Sequence, residues 1–224
     1  MILYIDTAFD ETTLAVKKDK KIFKEKISKN INISQVLIEK TKHIFKNIGA
    51  EKEEIKAIGF NNGPGNFTSL RVALAYVKAI SYHLRIPVIP INSFQILLLS
   101  SFEESVENQI LLAIDAKMNE VYWTYYNNYS NFLSKSSDFN LTSEYEIYEN
   151  IKKFGEKNLK LIKNSDNILN DVEKNNLFFN KIIKYKNKQN LENIFNFIEK
   201  YSGKEINEVN LLYVRNNVAK KKYE

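Results

Sequence analysis

Apolar positions fall in short alternating runs at the start of the chain and then recur at wider spacing. Ile2 to Ile5 is a run of β-formers closed by Asp6-Thr7. Thr12 to Val16 and Ile22 to Ile27 read as the next two strands, joined by the charged turn Lys17-Lys18-Asp19-Lys20. Consecutive strands with such short links predict an antiparallel meander. From Ile33 the period changes: Ile33, Val36, Leu37, Ile44 and Ile48 sit at helical spacing. Asn32 stands at the N-cap position, Gln35 completes a capping box, and Gly49 occupies a C′ position. Ala57 to Phe60 predicts a buried strand, Phe67 to Leu84 a second helix, Pro87 to Ile91 another strand, and Ser93 the cap of a third helix. A meander followed by strand–helix alternation predicts an α/β fold with a mixed sheet flanked by helices.

The second half opens on an echo. Leu112-Ala113-Ile114-Asp115-Ala116-Lys117-Met118-Asn119-Glu120 repeats the Leu, Ile, Asp and Glu of Leu3-Tyr4-Ile5-Asp6-Thr7-Ala8-Phe9-Asp10-Glu11 at the same offsets. Each segment is an apolar strand, an Asp at its end, a turn and a second strand, so two domains on one plan are expected. The boundaries are set at 1–105 and 106–224. Beyond Tyr126 the pattern thins into Asn-, Lys- and Ser-rich sequence, with helical stretches at Glu144 to Phe154 and Asn190 to Tyr201.

Composition narrows the chemistry. The chain has 44% hydrophobic and 27% charged residues, enough for a core and too apolar for a disordered chain. Zero cysteine excludes a disulfide scaffold, a thiolate metal site and a thiol nucleophile. With only His43 and His83, a His-rich metal site is not expected. The net charge of +6 is spread along the chain and is a property of a Lys/Asn/Ile-rich composition as much as of any binding surface. No run reaches the roughly 18 apolar residues of a membrane helix, and the first residues lack a signal-peptide pattern. A cytoplasmic protein is expected.

Paired hairpins with Asp at the strand end are the plan of the actin and sugar-kinase group, whose turns clamp ATP phosphates. That chemistry favours Gly in the turns, for close approach of backbone N–H groups, and carboxylates for Mg²⁺. Asp6 and Asp115 fit the second demand, but neither turn carries Gly. The two Asp are turn caps or remnants of a metal and nucleotide site. Asn61-Asn62-Gly63-Pro64-Gly65-Asn66-Phe67-Thr68 links a strand to a helix without the Lys-Ser/Thr of a P-loop. It is a tight turn or an anion site at a helix N-terminus, with Asn66 or Thr68 as cap.

On the helix that follows, Phe67, Leu70, Ala73, Leu74, Val77, Ile80 and Leu84 form a core arc. Val72, Ala75 and Ala79, flanked by Tyr76 and His83, form a second arc of small side chains. On the first helix, Ile38 and Phe45, with Thr41 and Lys42 between them, lie off the main arc. Spare apolar strips on neighbouring helices predict a helix–helix interface.

Four segments in order resemble the TsaB (YeaZ) family. They are Ile5-Asp6-Thr7; Asn62-Gly63-Pro64-Gly65-Asn66-Phe67-Thr68-Ser69-Leu70-Arg71; Ala113-Ile114-Asp115-Ala116-Lys117-Met118-Asn119-Glu120-Val121-Tyr122-Trp123; and Leu212-Tyr213-Val214-Arg215-Asn216-Asn217-Val218-Ala219. The resemblance implies a two-lobed actin-like (ASKHA, ribonuclease-H-like) fold with a reduced second lobe. It implies a non-catalytic subunit that dimerises with and activates TsaD in making threonylcarbamoyladenosine at position 37 of ANN-decoding tRNAs. TsaE joins the pair, and the family can form homodimers when alone. No cofactor or metal is expected, and contact with tRNA is expected to be indirect or weak. Two alternatives stay open: an ATP-binding enzyme using Asp6 and Asp115, and a direct tRNA-binding module using Tyr122, Trp123, Tyr125 and Tyr126. The family signature has Gly where this chain has Ser69, and its usual His at the start of the first helix corresponds to Asn32.

Overall fold

The computed structural model describes residues 1–28, 33–101, 109–126, 139–154, 159–171, 179–185, 189–201 and 203–214. Strands β1 (Ile2–Asp6), β2 (Thr12–Lys18), β3 (Lys21–Ile27), β4 (Ala57–Asn61) and β5 (Val88–Ile91) form a sheet in the order β3-β2-β1-β4-β5. β1 pairs antiparallel with β2 and parallel with β4. The meander and the alternation therefore meet at β1, where Leu3, Tyr4 and Ile5 are all fully buried. Three consecutive buried residues mean that both faces of the central strand are covered. The edge strand β3 exposes Lys21, Lys24 and Lys26, which disfavours pairing with another sheet.

Helices α1 (Ile33–Ile48) and α2 (Phe67–Leu84) pack on each other and on β1–β4. Both spans coincide with the helical periods of the sequence. Gly49 takes φ +57°, as a C′ glycine should, while the expected N-cap Asn32 lies outside the described residues. Helix α3 (Ser93–Ser100) is capped by Asn92, not by Ser93. Asn92 Oδ1 accepts from the Gln95 N–H at 2.8 Å, and Gln95 Oε1 accepts from the Asn92 N–H at 2.9 Å. Ser93 Oγ instead turns inward and donates to Asn61 Oδ1 at 3.0 Å.

Strands β6 (Ile110–Lys117), β7 (Glu120–Tyr126), β8 (Asn140–Ser143), β9 (Leu159–Lys163) and β10 (Phe179–Lys184) form a second sheet, in the order β10-β9-β6-β7-β8. β6 pairs antiparallel with β7 and parallel with β9. Read from the other edge, the connectivity is that of the first sheet. Helix α4 (Glu144–Phe154) follows the meander as α1 does. Ile147 and Ile151 of α4 join Leu111, Trp123 and Leu161 in the core of this unit. The duplicated plan read from the Leu3 and Leu112 segments is thus a duplicated ribonuclease-H-like sheet, the actin-like architecture.

By packing, Met1–Phe102 and Asn187–Leu212 make one unit, and Glu103–Lys186 with Tyr213–Glu224 the other. Helix α5 (Leu191–Lys200) therefore belongs to the first unit and packs on α3. Its Phe195 meets Tyr4 edge-to-face at 6.3 Å between ring centroids, and Ile198 fills the space left by Gly59. Among the described residues no helix is long and apolar enough to cross a membrane.

Candidate functional site

Asp6 ends β1 fully buried and, among the described residues, has no cationic partner. Its Oδ1 accepts from the Ala8 N–H and from Asn61 Nδ2, each at 2.9 Å. Its Oδ2 accepts from Tyr4 Oη at 3.2 Å and from Gln189 Nε2. Burial pushes this carboxyl above its ordinary value, and the bonds from Ala8, Asn61, Tyr4 and Gln189 offset part of the rise. Four donors from the chain itself occupy the positions from which a carboxylate would hold a cation. Asp6 works here as the hub of a turn.

The Gly63-Pro64-Gly65 loop is seated on that turn. Asn61 Oδ1 accepts from the Gly63 N–H at 2.9 Å, and the Asn66 N–H donates to the Ala8 carbonyl at 2.9 Å. A Cβ on Gly65 would overlap the Ala8 carbonyl oxygen and stand 2.7 Å from Ala8 Cβ, so only glycine lets the two backbones meet. Asn66, not Thr68, caps α2, accepting from the Ser69 N–H at 3.1 Å. The Leu212 N–H donates to the Asn62 carbonyl at 2.8 Å, so the chain returns to the loop just before Arg215, Asn216 and Asn217, which lie outside the described residues. Pro64 is buried and joined to Gly63 by a cis bond.

Asp115 repeats the turn in the second unit. Its Oδ1 accepts from the Lys117 N–H at 2.8 Å, as Asp6 does from Ala8. Its Oδ2 is paired with Lys117 Nζ at 2.7 Å, and its own N–H donates to Asn164 Oδ1 at 2.8 Å. Without glycine, Lys117, Met118 and Asn119 all adopt positive φ. The two Asp share their role at the strand end, and each carboxylate is already engaged by donors of its own unit. Among the described residues no group of three His, Cys, Asp or Glu side chains is placed to hold a metal ion.

The aromatic run on β7 is mostly interior. Trp123 and Tyr126 are buried and Tyr122 and Tyr125 are half-buried. Trp123 Nε1 donates to Thr142 Oγ1 at 2.9 Å, and burial pushes the Tyr126 phenol up to about 12.

The outer faces of α1 and α2 are more open. Ile38 is 46% exposed, and Lys42, Ala75, Ala79 and His83 are exposed, with Val72 and Tyr76 half-buried. Phe45 and Thr41 differ from expectation: both are buried, because α2 packs beside α1 and covers a second side of it. Thr41 Oγ1 donates to the Leu37 carbonyl at 2.6 Å, and Tyr76 hydrogen-bonds to Thr41 across the helix pair. Burial raises the Tyr76 phenol despite that bond. Phe67, read as core, is 40% exposed in the first turn of α2, with the Arg71 guanidinium 3.7 Å from its ring centroid. Thr68 is exposed beside it. Lys40 and His43 tie α1 to β3 through Glu25 at 3.3 and 2.9 Å. Partial desolvation raises the Glu25 carboxyl, but the bonds from His43 and Lys40 outweigh it and hold the group below its ordinary value.

Two working residues escaped the sequence reading. Asn61 was visible only as part of a polar pair before Gly63, whereas Gln189 carries no local signal and reaches Asp6 from far along the chain.

A model of the family described as TsaD, tRNA N6-adenosine threonylcarbamoyltransferase, matches residues 25–194. The "tRNA threonylcarbamoyladenosine biosynthesis protein TsaB" of Buchnera aphidicola subsp. Schizaphis graminum is 30% identical over 128 residues, 56% of this chain and 60% of that protein. The protein of that name in Escherichia coli is 26% identical over 125 residues, 56% of this chain and 54% of its own length. The chain thus spans less than two thirds of these curated relatives. YeaZ from Pseudomonas aeruginosa shares the fold, with a TM-score of 0.70 at 19% identity over 95% of this chain and 98% of that one.

Proposed function

The chain belongs to the TsaD family and, within it, to the TsaB (YeaZ) group, and from that premise we propose that it is the non-catalytic subunit that pairs with TsaD and activates it. The reaction served is the threonylcarbamoylation of adenosine 37 in ANN-decoding tRNAs, with TsaE as a further partner, in the cytoplasm. The observation that carries this reading is the strip of exposed Ile38, Ala75 and Ala79 with half-buried Val72 on two adjoining helices. Small side chains at Ala75 and Ala79 allow a partner helix to approach closely. Tyr76, Lys42 and His83 rim the strip, while Thr41 and Phe45 support it from beneath. A standard interface of about 1,600 Å² in total could be centred there.

The state of the carboxylates supports a subunit without its own chemistry. A nucleotide enzyme needs Asp6 and Asp115 free to face a metal, and here both are engaged by donors. The test is Ala79→Glu. In the free chain the new carboxylate stays in water, so circular dichroism and the thermal midpoint should hardly change. In the complex it would be buried unpaired, at about 3–5 kcal/mol, and co-elution with TsaD should be lost. A complex that survives this substitution refutes the surface. High-affinity binding of Mg-ATP by the isolated chain, lost in Asp6→Ala, would refute the non-catalytic role.

A further inference from the structure

We propose that the open cavity at the C-terminal end of α2 is a binding site for one unstacked nucleotide of single-stranded RNA. The cavity has a volume of about 670 Å³, and Tyr82, His83 and Arg85 line it from one side, Lys204, Glu205 and Asn207 from another. That volume lies in the range of small-ligand sites, roughly 300–1,000 Å³.

Its walls are held in place. Ser81 Oγ donates to the Ile86 carbonyl at 2.6 Å, fixing the turn out of α2. Lys204 is pinned to the edge strand β5 by two backbone bonds, Val88 N–H to its carbonyl at 3.0 Å and its N–H to the Val88 carbonyl at 2.7 Å. Gly203 makes that approach possible, because a Cβ there would run into the Pro87 ring.

Among the described residues the side chains held by this frame make no hydrogen bond or ion pair. Tyr82 is 80% exposed, so its ring presents a bare face. Arg85 and Lys204 are exposed and form no ion pair among the described residues. Arg85 also adopts φ +54° at the end of α2, a conformation that favours glycine or asparagine. Keeping arginine there puts a cation at the cavity mouth against the local preference of the backbone.

Together these groups match the parts of a ribonucleotide. An exposed aromatic ring stacks on a base of any sequence. Two unpaired cations suit the phosphates on either side of one nucleotide. The Glu205 carboxylate and the Asn207 amide can accept from and donate to a ribose 2′-hydroxyl, the group that separates RNA from DNA. His83, a rim residue of the pairing surface, also lines the cavity, but the chemistry here is polar and cationic where the Ile38–Ala79 strip is apolar. One nucleotide is a small contact, so the site adds to an RNA grip centred elsewhere.

Fluorescence anisotropy of the full-length chain with a labelled single-stranded RNA dodecamer tests this. Using the isolated chain keeps the readout independent of pairing with TsaD. Saturable binding is expected, falling with salt at a slope of about −1.4 or steeper, to which the two phosphate contacts made here give about −0.7 each. Tyr82→Ala should weaken it about tenfold at unchanged slope. Arg85→Gly should flatten the slope by about 0.7 without lowering the thermal midpoint, because glycine suits that backbone. The site is overturned by an absence of saturable binding, by a Tyr82→Ala chain that binds like the parent, or by equal affinity for DNA or duplex RNA of the same sequence. Displacement by an equimolar mononucleotide would also overturn it, marking a free nucleotide as the ligand.

Discussion

Replacing Gly65 by alanine tests whether the Gly-Pro-Gly loop is held by its contact with the Asp6 turn. The new Cβ would overlap the Ala8 carbonyl oxygen and stand 2.7 and 2.9 Å from Ala8 Cβ and carbonyl carbon. These are backbone and near-backbone atoms of a buried turn, so no flexible side-chain end can move aside. The loop must lift, and the 2.9 Å bond from the Asn66 N–H to the Ala8 carbonyl stretches or breaks. Overpacking of this kind costs about 1–3 kcal/mol, and a lost buried bond about 1 kcal/mol more. A destabilisation of about 2–4 kcal/mol is therefore expected. Gly49→Ala is the control. It has φ +57° but nothing within 4 Å, so it carries only the left-handed backbone penalty, about 1 kcal/mol. Urea unfolding followed by far-UV circular dichroism is the assay, because the single tryptophan, Trp123, reports on the other unit. If Gly65→Ala proves no more destabilising than Gly49→Ala, the loop does not depend on close approach to Ala8.

Three further outcomes are expected. Asp6, raised above its unfolded value by burial, makes the folded state bind an extra proton; its contribution is full below the ordinary carboxyl value of 3.8 and is lost as pH rises through the folded value. The stability cost of Asp6→Asn, measured by urea unfolding, should thus be larger at pH 4 than at pH 7, and the reverse trend would refute the assignment. Thr41→Val leaves the Tyr76 hydroxyl without its partner between α1 and α2 and should cost about 1–3 kcal/mol, read as a drop in the urea midpoint; a neutral result would mean that the hydroxyl is not needed there. Tyr126, pushed up to about 12 by burial, should stay largely protonated at pH 11 in a spectrophotometric titration, and its full ionisation at that pH would refute the burial.

Helix spans and the duplicated hairpin were legible because their signals are local. The periods from Ile33 to Ile48 and from Phe67 to Leu84 each sit within one element, and the Asp at each strand end makes its turn with the residue two places on. Side chains that depend on neighbours were harder to assign. A helical wheel puts Thr41 and Phe45 off the core arc of α1, but α2 lies beside it and buries them. The same wheel puts Phe67 inside, yet it stays partly in solvent under Arg71. Asn92 and Ser93 are adjacent cap-forming residues, and only the reciprocal bonds with Gln95 decide between them. The role of Gln189 and the packing of α5 on α3 join positions far apart in the chain, and nothing in a local pattern announces such a pairing.

The first unit closes with Asn187–Leu212, while the second sheet is encoded in between. During translation the ribosome must therefore finish β6 to β10 before it delivers Gln189 to Asp6 or α5 to Tyr4. At about 5–20 residues per second, the nascent amino-terminal sheet waits on the order of ten seconds with one flank bare. The strands encoded later have all of their own sheet partners synthesised before that wait ends. The polypeptide is thus set to mature from the middle outward, and a nascent chain stalled before Leu191 would display an uncovered Tyr4 surface to chaperones.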